Sequence, residues 1–257
     1  MGSSLMNIND KRIPRHKLET IAEGYDEVNN PSLRLLWQVR KNEYSIFKNH
    51  CQNTATVLEI GLGDGMFTSF LADDFEKVLA VDASQNTIAS VKKKLASCNN
   101  IEYRLAYIET LALKTPVENI VLSHLLEHLP DPVYSLKKMN DLLAPSGIIY
   151  ISVPNALSLH RQVAVHMGLL QACDELNEMD KRLGHLRVYN PQLLQEHVAA
   201  SGLQIISAGG SMLKPLSNAQ IARHWTDAMI DGFIKVGNDY PDLCGDIYAI
   251  AQKLPLT

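Results

Sequence analysis

The sequence predicts an α/β fold in which a mostly parallel sheet carries helices on both faces. Three observations predict it. From residue 56 onward, short apolar runs alternate with helix-period stretches, the pattern of repeated strand–helix–strand units. A glycine-rich bend, Gly61-Leu62-Gly63-Asp64-Gly65, joins one such run to one such stretch. The chain has 257 residues and is 46% hydrophobic, enough to bury one large core.

Each element follows from its local pattern. Residues 15–50 read as helical through Leu18, Ile21, Leu33, Leu36, Trp37, Val39, Tyr44 and Phe47, and Asn29-Asn30-Pro31 divides them into two helices. They make an N-terminal helical cap (residues 1–50), and residues 51–257 make the main domain. Strands are predicted at Thr56–Ile60, Lys77–Val81, Ile101–Leu105, Asn119–Ser123 and Gly147–Val153, with helices at 66–73, 85–97 and 132–144 between them. After Pro154 the pattern changes. Residues 156–183 read as helical, and 156–188 as an insertion over the open edge of the sheet. Asn190-Pro191 opens a helix at 191–201. A strand at Leu203–Ala208, a helix at 217–236 and a last strand at Asp246–Gln252 complete the chain.

Composition excludes several classes. Charged residues are 20% and the net charge is −4, so no basic surface recommends nucleic acid or an anionic membrane as partner. No apolar stretch reaches the length of a membrane span, and the polar N-terminus lacks a signal-peptide core. A cytoplasmic protein is the expectation. Cys51, Cys98, Cys173 and Cys244 are too scattered for a zinc knuckle or a redox pair and read as buried free thiols.

The bend Val57-Leu58-Glu59-Ile60-Gly61-Leu62-Gly63-Asp64-Gly65-Met66-Phe67 carries the chemistry. Glycines let a backbone approach a ligand with no Cβ between them. Alone, the bend is also consistent with a plain strand–helix turn. The following strand strengthens it, because Val78-Leu79-Ala80-Val81 ends in Asp82, 21 residues after Gly61. That spacing suits a carboxylate holding ribose hydroxyls across the switch point of a doubly wound sheet. A dinucleotide fingerprint would place its last glycine at Met66, and no Walker lysine follows.

The bend resembles motif I of class I S-adenosylmethionine (SAM)-dependent methyltransferases, and Asp82 resembles their ribose-binding acid. The segments Val121 to Pro132, Leu142 to Ile149 and Val153-Pro154-Asn155 resemble the same family after its fourth strand and around its fifth. The resemblance implies a Rossmann-like, seven-stranded, mostly parallel sheet in the order 3-2-1-4-5-7-6 and a bacterial small-molecule methyltransferase. It implies SAM as cofactor, with S-adenosylhomocysteine as product. Glu59, Gly61, Gly63, Asp64, Gly65, Asp82 and Ala83 would surround the cofactor, with Glu59 and Asp64 compatible with its sulfonium cation. Where the family often has an Asp near the adenine, this chain has Tyr107-Ile108-Glu109, so Ile108 and Glu109 are the candidates there. Ser123 and His124 would pass the adenosyl group, and Tyr25 and Arg34 would close over it.

On the acceptor side, His128, His160 and His185 are the catalytic candidates, since imidazole titrates near neutrality. His160 and His185 flank the insertion, and His128 is alternatively a structural residue. Lys214 and Arg187 are candidate anion binders, with solvated surface charge as the competing reading. The acceptor is expected to be a small molecule, anionic or sugar-like, methylated on a hydroxyl oxygen. The alternatives are an N-methyltransferase and a SAM-binding module without transfer activity. A remote one is a zinc metallohydrolase, since His124-Leu125-Leu126-Glu127-His128 matches H-x-x-E-H. Pro130 leaves that motif little room for a helix, and no metal is expected.

Overall fold

The computed structural model describes residues 12–23 and 32–254. Two N-terminal helices, α1 (Arg15–Glu23) and α2 (Leu33–Lys48), precede the alternating units β1 (Thr56–Ile60), α3 (Met66–Asp74), β2 (Lys77–Asp82), α4 (Gln85–Lys94), β3 (Ile101–Leu105), β4 (Val117–Ser123), α5 (Pro132–Leu142) and β5 (Leu143–Pro154). Then come α6 (Leu159–His166), α7 (Glu178–Arg182), α8 (Pro191–Ala200), β6 (Leu203–Gly210), α9 (Asn218–His224), α10 (Asp227–Gly237) and β7 (Asp246–Lys253).

The strands form one sheet in the order β3-β2-β1-β4-β5-β7-β6. β1 to β5 run parallel, and β7 is antiparallel to both neighbours. The expected order and the antiparallel seventh strand are both present.

The sheet is buried on both faces because its strands are apolar at both parities. Leu58, Leu79, Ile120 and Ile149 meet Leu136 and Met139 of α5 and Leu194 and Val198 of α8. Val57, Val78, Val121 and Tyr150 meet Tyr44 and Phe47 of α2, Phe67 and Leu71 of α3 and Val91 of α4. A smaller core joins Leu35 and Val39 of α2 to Ile221 of α9 and to Ile230 and Ile234 of α10.

Two predicted helices are broken. The stretch 156–183 holds only α6 and α7, separated by coil. Helix α6 stops where Gly168 takes φ +72° and Leu169 N–H returns to the Ala164 carbonyl, a left-handed stop that satisfies an end carbonyl. Arg161, only 4% exposed, then organises the coil. It donates to the carbonyls of Cys173 (2.7 Å) and Glu175 and to the Asp180 carboxylate (3.1 Å). The stretch 217–236 divides into α9 and α10 because Thr226 caps α10, accepting from Met229 N–H at 3.3 Å. The Trp225 carbonyl is taken by Arg34.

Arg161→Met would leave Asp180 buried without its cation. Breaking such a pair costs about 3 kcal/mol. Faster amide exchange confined to residues 156–188, with a lower denaturant midpoint, is the expected result; uniform exchange across the sheet would refute it.

Candidate active site

The carboxyl ends of the parallel strands open on one edge of the sheet, and β7 starts there, with Asp246 opposite Pro154. Ligands of such sheets bind at this edge, beside the switch between β1 and β4.

The glycine bend lies at that switch. Gly61, Gly63 and Gly65 all have positive φ, at +79°, +51° and +81°. A Cβ on Gly61 would strike Leu125 and one on Gly65 would strike Val91, each at 2.9 Å, whereas at Gly63 it would meet nothing within 4 Å. Gly61 and Gly65 are therefore required by the protein's own packing, and Gly63 presents bare backbone to open space. That is the cradle an adenosyl cofactor needs. Asp64 Oδ1 accepts from Met66 N–H at 2.9 Å and starts α3.

Asp82 ends β2 beside the bend. Its Oδ2 accepts from Leu62 N–H (2.9 Å) and its Oδ1 from Ser84 N–H (2.8 Å), with Ala83 between. Burial raises its pKa, against these backbone bonds. Each oxygen keeps acceptor capacity for a ribose hydroxyl. Glu59, 1% exposed, is pushed up to about 8 by burial, with the Asp82 and Asp64 charges adding to it against a bond from Thr68. The Glu59 carboxyl thus holds its proton more tightly than an ordinary carboxyl.

On the adenine side, Ile108 is buried and opens a short 3-10 turn with Glu109. Glu109 Oε2 is buried without a hydrogen-bond partner, an open acceptor that suits an exocyclic amine. Ser123 ends β4, with its Oγ 3.2 Å from Ser152 Oγ, and His124 N–H bonds to the Ser152 carbonyl. Arg34 is committed elsewhere: its guanidinium bonds to Asp227 (2.7 Å) and to the Trp225 carbonyl, tying α2 to α10. Tyr25 lies outside the described residues.

His124 has φ +51°, a strained conformation for a residue with a side chain. Its ring lies between two buried carboxylates, Glu43 (3.6 Å from Nε2) and Glu127 (3.6 Å from Nδ1). Burial and Arg40 oppose its charge, but Asp246, Glu127 and Glu43 outweigh them and raise it to about 9. Glu43 is fixed in turn by Arg40 at 2.8 Å. An imidazolium held this way is a poor proton acceptor at neutral pH. The H-x-x-E-H motif is thus divided. Its segment is a strand end and a 3-10 turn rather than a helix, and its two histidines join different groups that are each compact enough to hold a metal ion, Glu43–His124–Asp246 and Glu127–His128–His185.

The catalytic candidates fall in two places. His128 and His185 come together, with rings 4.8 Å apart and edge to face. Leu186 N–H pins this segment to the Glu127 carbonyl at 2.8 Å. Asp180 lies 3.2 Å from His185 Nδ1. Its own pKa is brought down to about 2, against burial, by bonds from His185, Asn177 N–H and Arg161. Burial lowers the pKa of His128, with Glu127 opposing. His160 stands apart. Its N–H bonds to the Lys214 carbonyl at 3.0 Å, and burial with Lys214 and Arg161 takes its pKa down to about 3. Arg187 donates to the carbonyls of Leu126 (3.0 Å), Leu129 and Pro130 (3.4 Å), so it staples the turn after β4 rather than awaiting an anion.

Arg40, Glu43 and Asp180 were not anticipated. A signal for Glu43 exists: it falls in the ladder Leu35, Val39, Glu43, Phe47 on the buried stripe of α2, where a charge needs a partner. All four cysteines are free, but only Cys244 is buried; Cys51, Cys98 and Cys173 are partly exposed, against the expected burial. Among the described residues no helix is long and apolar enough to cross a membrane.

Residues 33–208 match the family model described as a methyltransferase domain. The chain is 30% identical over 165 residues to the ubiquinone biosynthesis O-methyltransferase of Idiomarina loihiensis, covering 62% of this chain and 66% of that protein. It is 29% identical over 167 residues to the same-named protein of Rhizobium johnstonii, covering 63% and 65%. The chain thus spans about two thirds of the length of the curated relatives it matches. Among solved structures, the N-methyltransferase NodS from Bradyrhizobium japonicum with S-adenosylhomocysteine aligns at TM-score 0.56 and 14% identity, over 92% of this chain and 100% of that one. The CcbJ methyltransferase from Streptomyces caelestis aligns at 0.59 and 16%, over 91% and 96%. With a matching domain over most of its length, the expected strand order and a bare-backbone cradle beside a strand-end acid, the chain belongs to the class I SAM-dependent methyltransferases.

Proposed function

We propose that this protein methylates a hydroxyl oxygen of a small molecule, with His185 as general base. The observation that carries the reading is the Asp180–His185 pair, a buried carboxylate 3.2 Å from an imidazole nitrogen that is edge-on to His128. A carboxylate so placed stabilises the proton that the imidazole takes up. Of the candidate histidines, His124 is held protonated and His160 is too weak a base, because proton transfer is best served by a pKa near the working pH. Relatives named as O-methyltransferases support oxygen as the acceptor atom.

When bound, SAM supplies an electrophilic methyl carbon. The chain's part is to hold and to align. The Gly63 backbone would seat the cofactor, Asp82 would take the ribose diol, Glu109 would receive the adenine amine, and the backbone of Ser123 and His124 would border the adenosyl group. His185 removes the proton from the acceptor hydroxyl as its oxygen attacks. Positioning within a closed site accounts for most of the acceleration in such displacements.

The test is kinetic, on the acceptor found by screening for S-adenosylhomocysteine release. His185→Ala is expected to lower kcat by ~10²-fold or more with the KM for SAM unchanged, and Asp180→Asn to follow it. A chelator is expected to leave the rate alone. If Ala at His128, His160 and His185, singly and together, leaves kcat intact, the base is not histidine and an amine acceptor becomes the better reading.

A further inference from the structure

Three segments meet at the acceptor end of the sheet edge and are laced by backbone hydrogen bonds. They are the exit of β5 (Asn155 to His160), the exit of β6 (Ser211 to Lys214) and the start of β7 (Cys244 to Asp246). Asn155 N–H bonds to the Gly245 carbonyl (2.9 Å), Gly245 N–H to that of Met212 (2.8 Å), Ser211 N–H to that of Asp246 (3.0 Å), and His160 N–H to that of Lys214 (3.0 Å).

Lys214 is the cation of this patch. Its stem lies along Gly245, where an added Cβ would come within 2.9 Å of Lys214 Cδ. It is half-buried, and among the described residues its ammonium makes no hydrogen bond or ion pair. The other cations nearby are engaged: Arg161 with Asp180 at 3.1 Å, and Arg40 with Glu43 at 2.8 Å. Asp246, the carboxylate acting most strongly on Lys214, is shared with Arg40 at 4.0 Å. On the same laced segments, Ser158 Oγ and Ser211 Oγ are buried hydroxyls without partners, on residues 0% and 1% exposed, and His160 Nδ1 is likewise unpartnered. A buried hydroxyl left unsatisfied costs free energy, and a partly desolvated ammonium that only shares a carboxylate with Arg40 costs more. An anionic ligand at this patch would give the ammonium a partner of its own.

We propose that the acceptor bears a carboxylate and that Lys214 is its anchor, with Ser158 and Ser211 as additional hydrogen-bond donors. A single compact ammonium flanked by hydroxyls suits a monoanion better than a phosphate dianion, for which a bidentate guanidinium or a second free cation would be expected. The substrate class is thus a hydroxy acid. This rests on the O-methyl-transfer reading above and narrows it.

The experiment uses the full chain saturated with S-adenosylhomocysteine. Thermal stabilisation is measured with 4-hydroxybenzoate, lactate and succinate, each against its uncharged amide. Carboxylates are expected to stabilise the complex and amides to do so less. Lys214→Met is expected to weaken carboxylate binding by ~10-fold or more, while Lys214→Arg restores part of it. S-adenosylhomocysteine affinity, measured on the same samples, is expected to be equal in wild type and both variants, which shows that they are folded. Should Lys214→Met not fold, Lys214→Gln replaces it. The proposal falls if no carboxylate stabilises more than its amide, or if the preference survives the loss of the ammonium. Normal S-adenosylhomocysteine binding in that event leaves the methyltransferase reading standing. Absence of S-adenosylhomocysteine binding from wild type would overturn both.

Discussion

Replacing Gly63 by leucine is expected to leave the protein folded and to abolish cofactor binding. A side chain at φ +51° costs about 1–2 kcal/mol, which a domain of this size tolerates. No protein atom stands within 4 Å of the new Cβ, so the added side chain occupies the space that the cofactor requires. Affinity for S-adenosylhomocysteine should fall by ~100-fold or more, equivalent to about 2.7 kcal/mol. Gly61→Ala and Gly65→Ala provide the contrast. Their methyl groups meet Leu125 and Val91 at 2.9 Å, so both lower stability as well as binding. Titration calorimetry beside thermal melting separates the cases. Tight binding by a folded Gly63→Leu protein would show that the cradle lies elsewhere.

The second large effect is in pH dependence. In the folded state the Glu59 carboxyl is pushed up to about 8, first by burial and then by Asp82 and Asp64, while in the unfolded chain it titrates in the ordinary carboxylate range. The folded form therefore holds this proton more tightly. Its contribution to stability is present in full below the unfolded pKa and is lost as pH rises towards 8, and the loss is on the order of a few kcal/mol. Glu59→Gln keeps the shape without the titration. The variant is expected to match the parent near pH 5 and to exceed it in denaturant midpoint near pH 8.5. Parallel pH–stability curves for the two proteins would mean that Glu59 is ionised in the fold.

What could be read from the chain was whatever is local. The run Val57 to Ile60, the glycine bend and Asp82 at the next strand end are short-range patterns, and they lie together as expected. So do the seven strands, because apolar strand runs bounded by turns carry their own signal. Two helices were overextended for a reason the sequence does not display. Helical periodicity continues through 156–183, but Arg161 supplies the coil with hydrogen bonds that compete with helix. The pairing of His128 with His185 depends on contact between residues 57 positions apart, which only the folded chain creates. The same is true of Asp180 as the partner of both Arg161 and His185. The left-handed backbone of His124 at the end of β4 is a choice that histidine does not announce.

Helix α1 has two footholds. Glu19 grips the first turn of α4 through Ser84 Oγ (2.6 Å) and the N–H groups of Gln85 (2.9 Å) and Asn86 (3.0 Å), directly after Asp82. Half a turn on, Ile21 lies over Gly184, so closely that a Cβ there would come within 2.4 Å of it, beside His185. One short helix therefore spans from the residues after Asp82 to the segment that carries His185, so a substitution at either foothold changes the support of both.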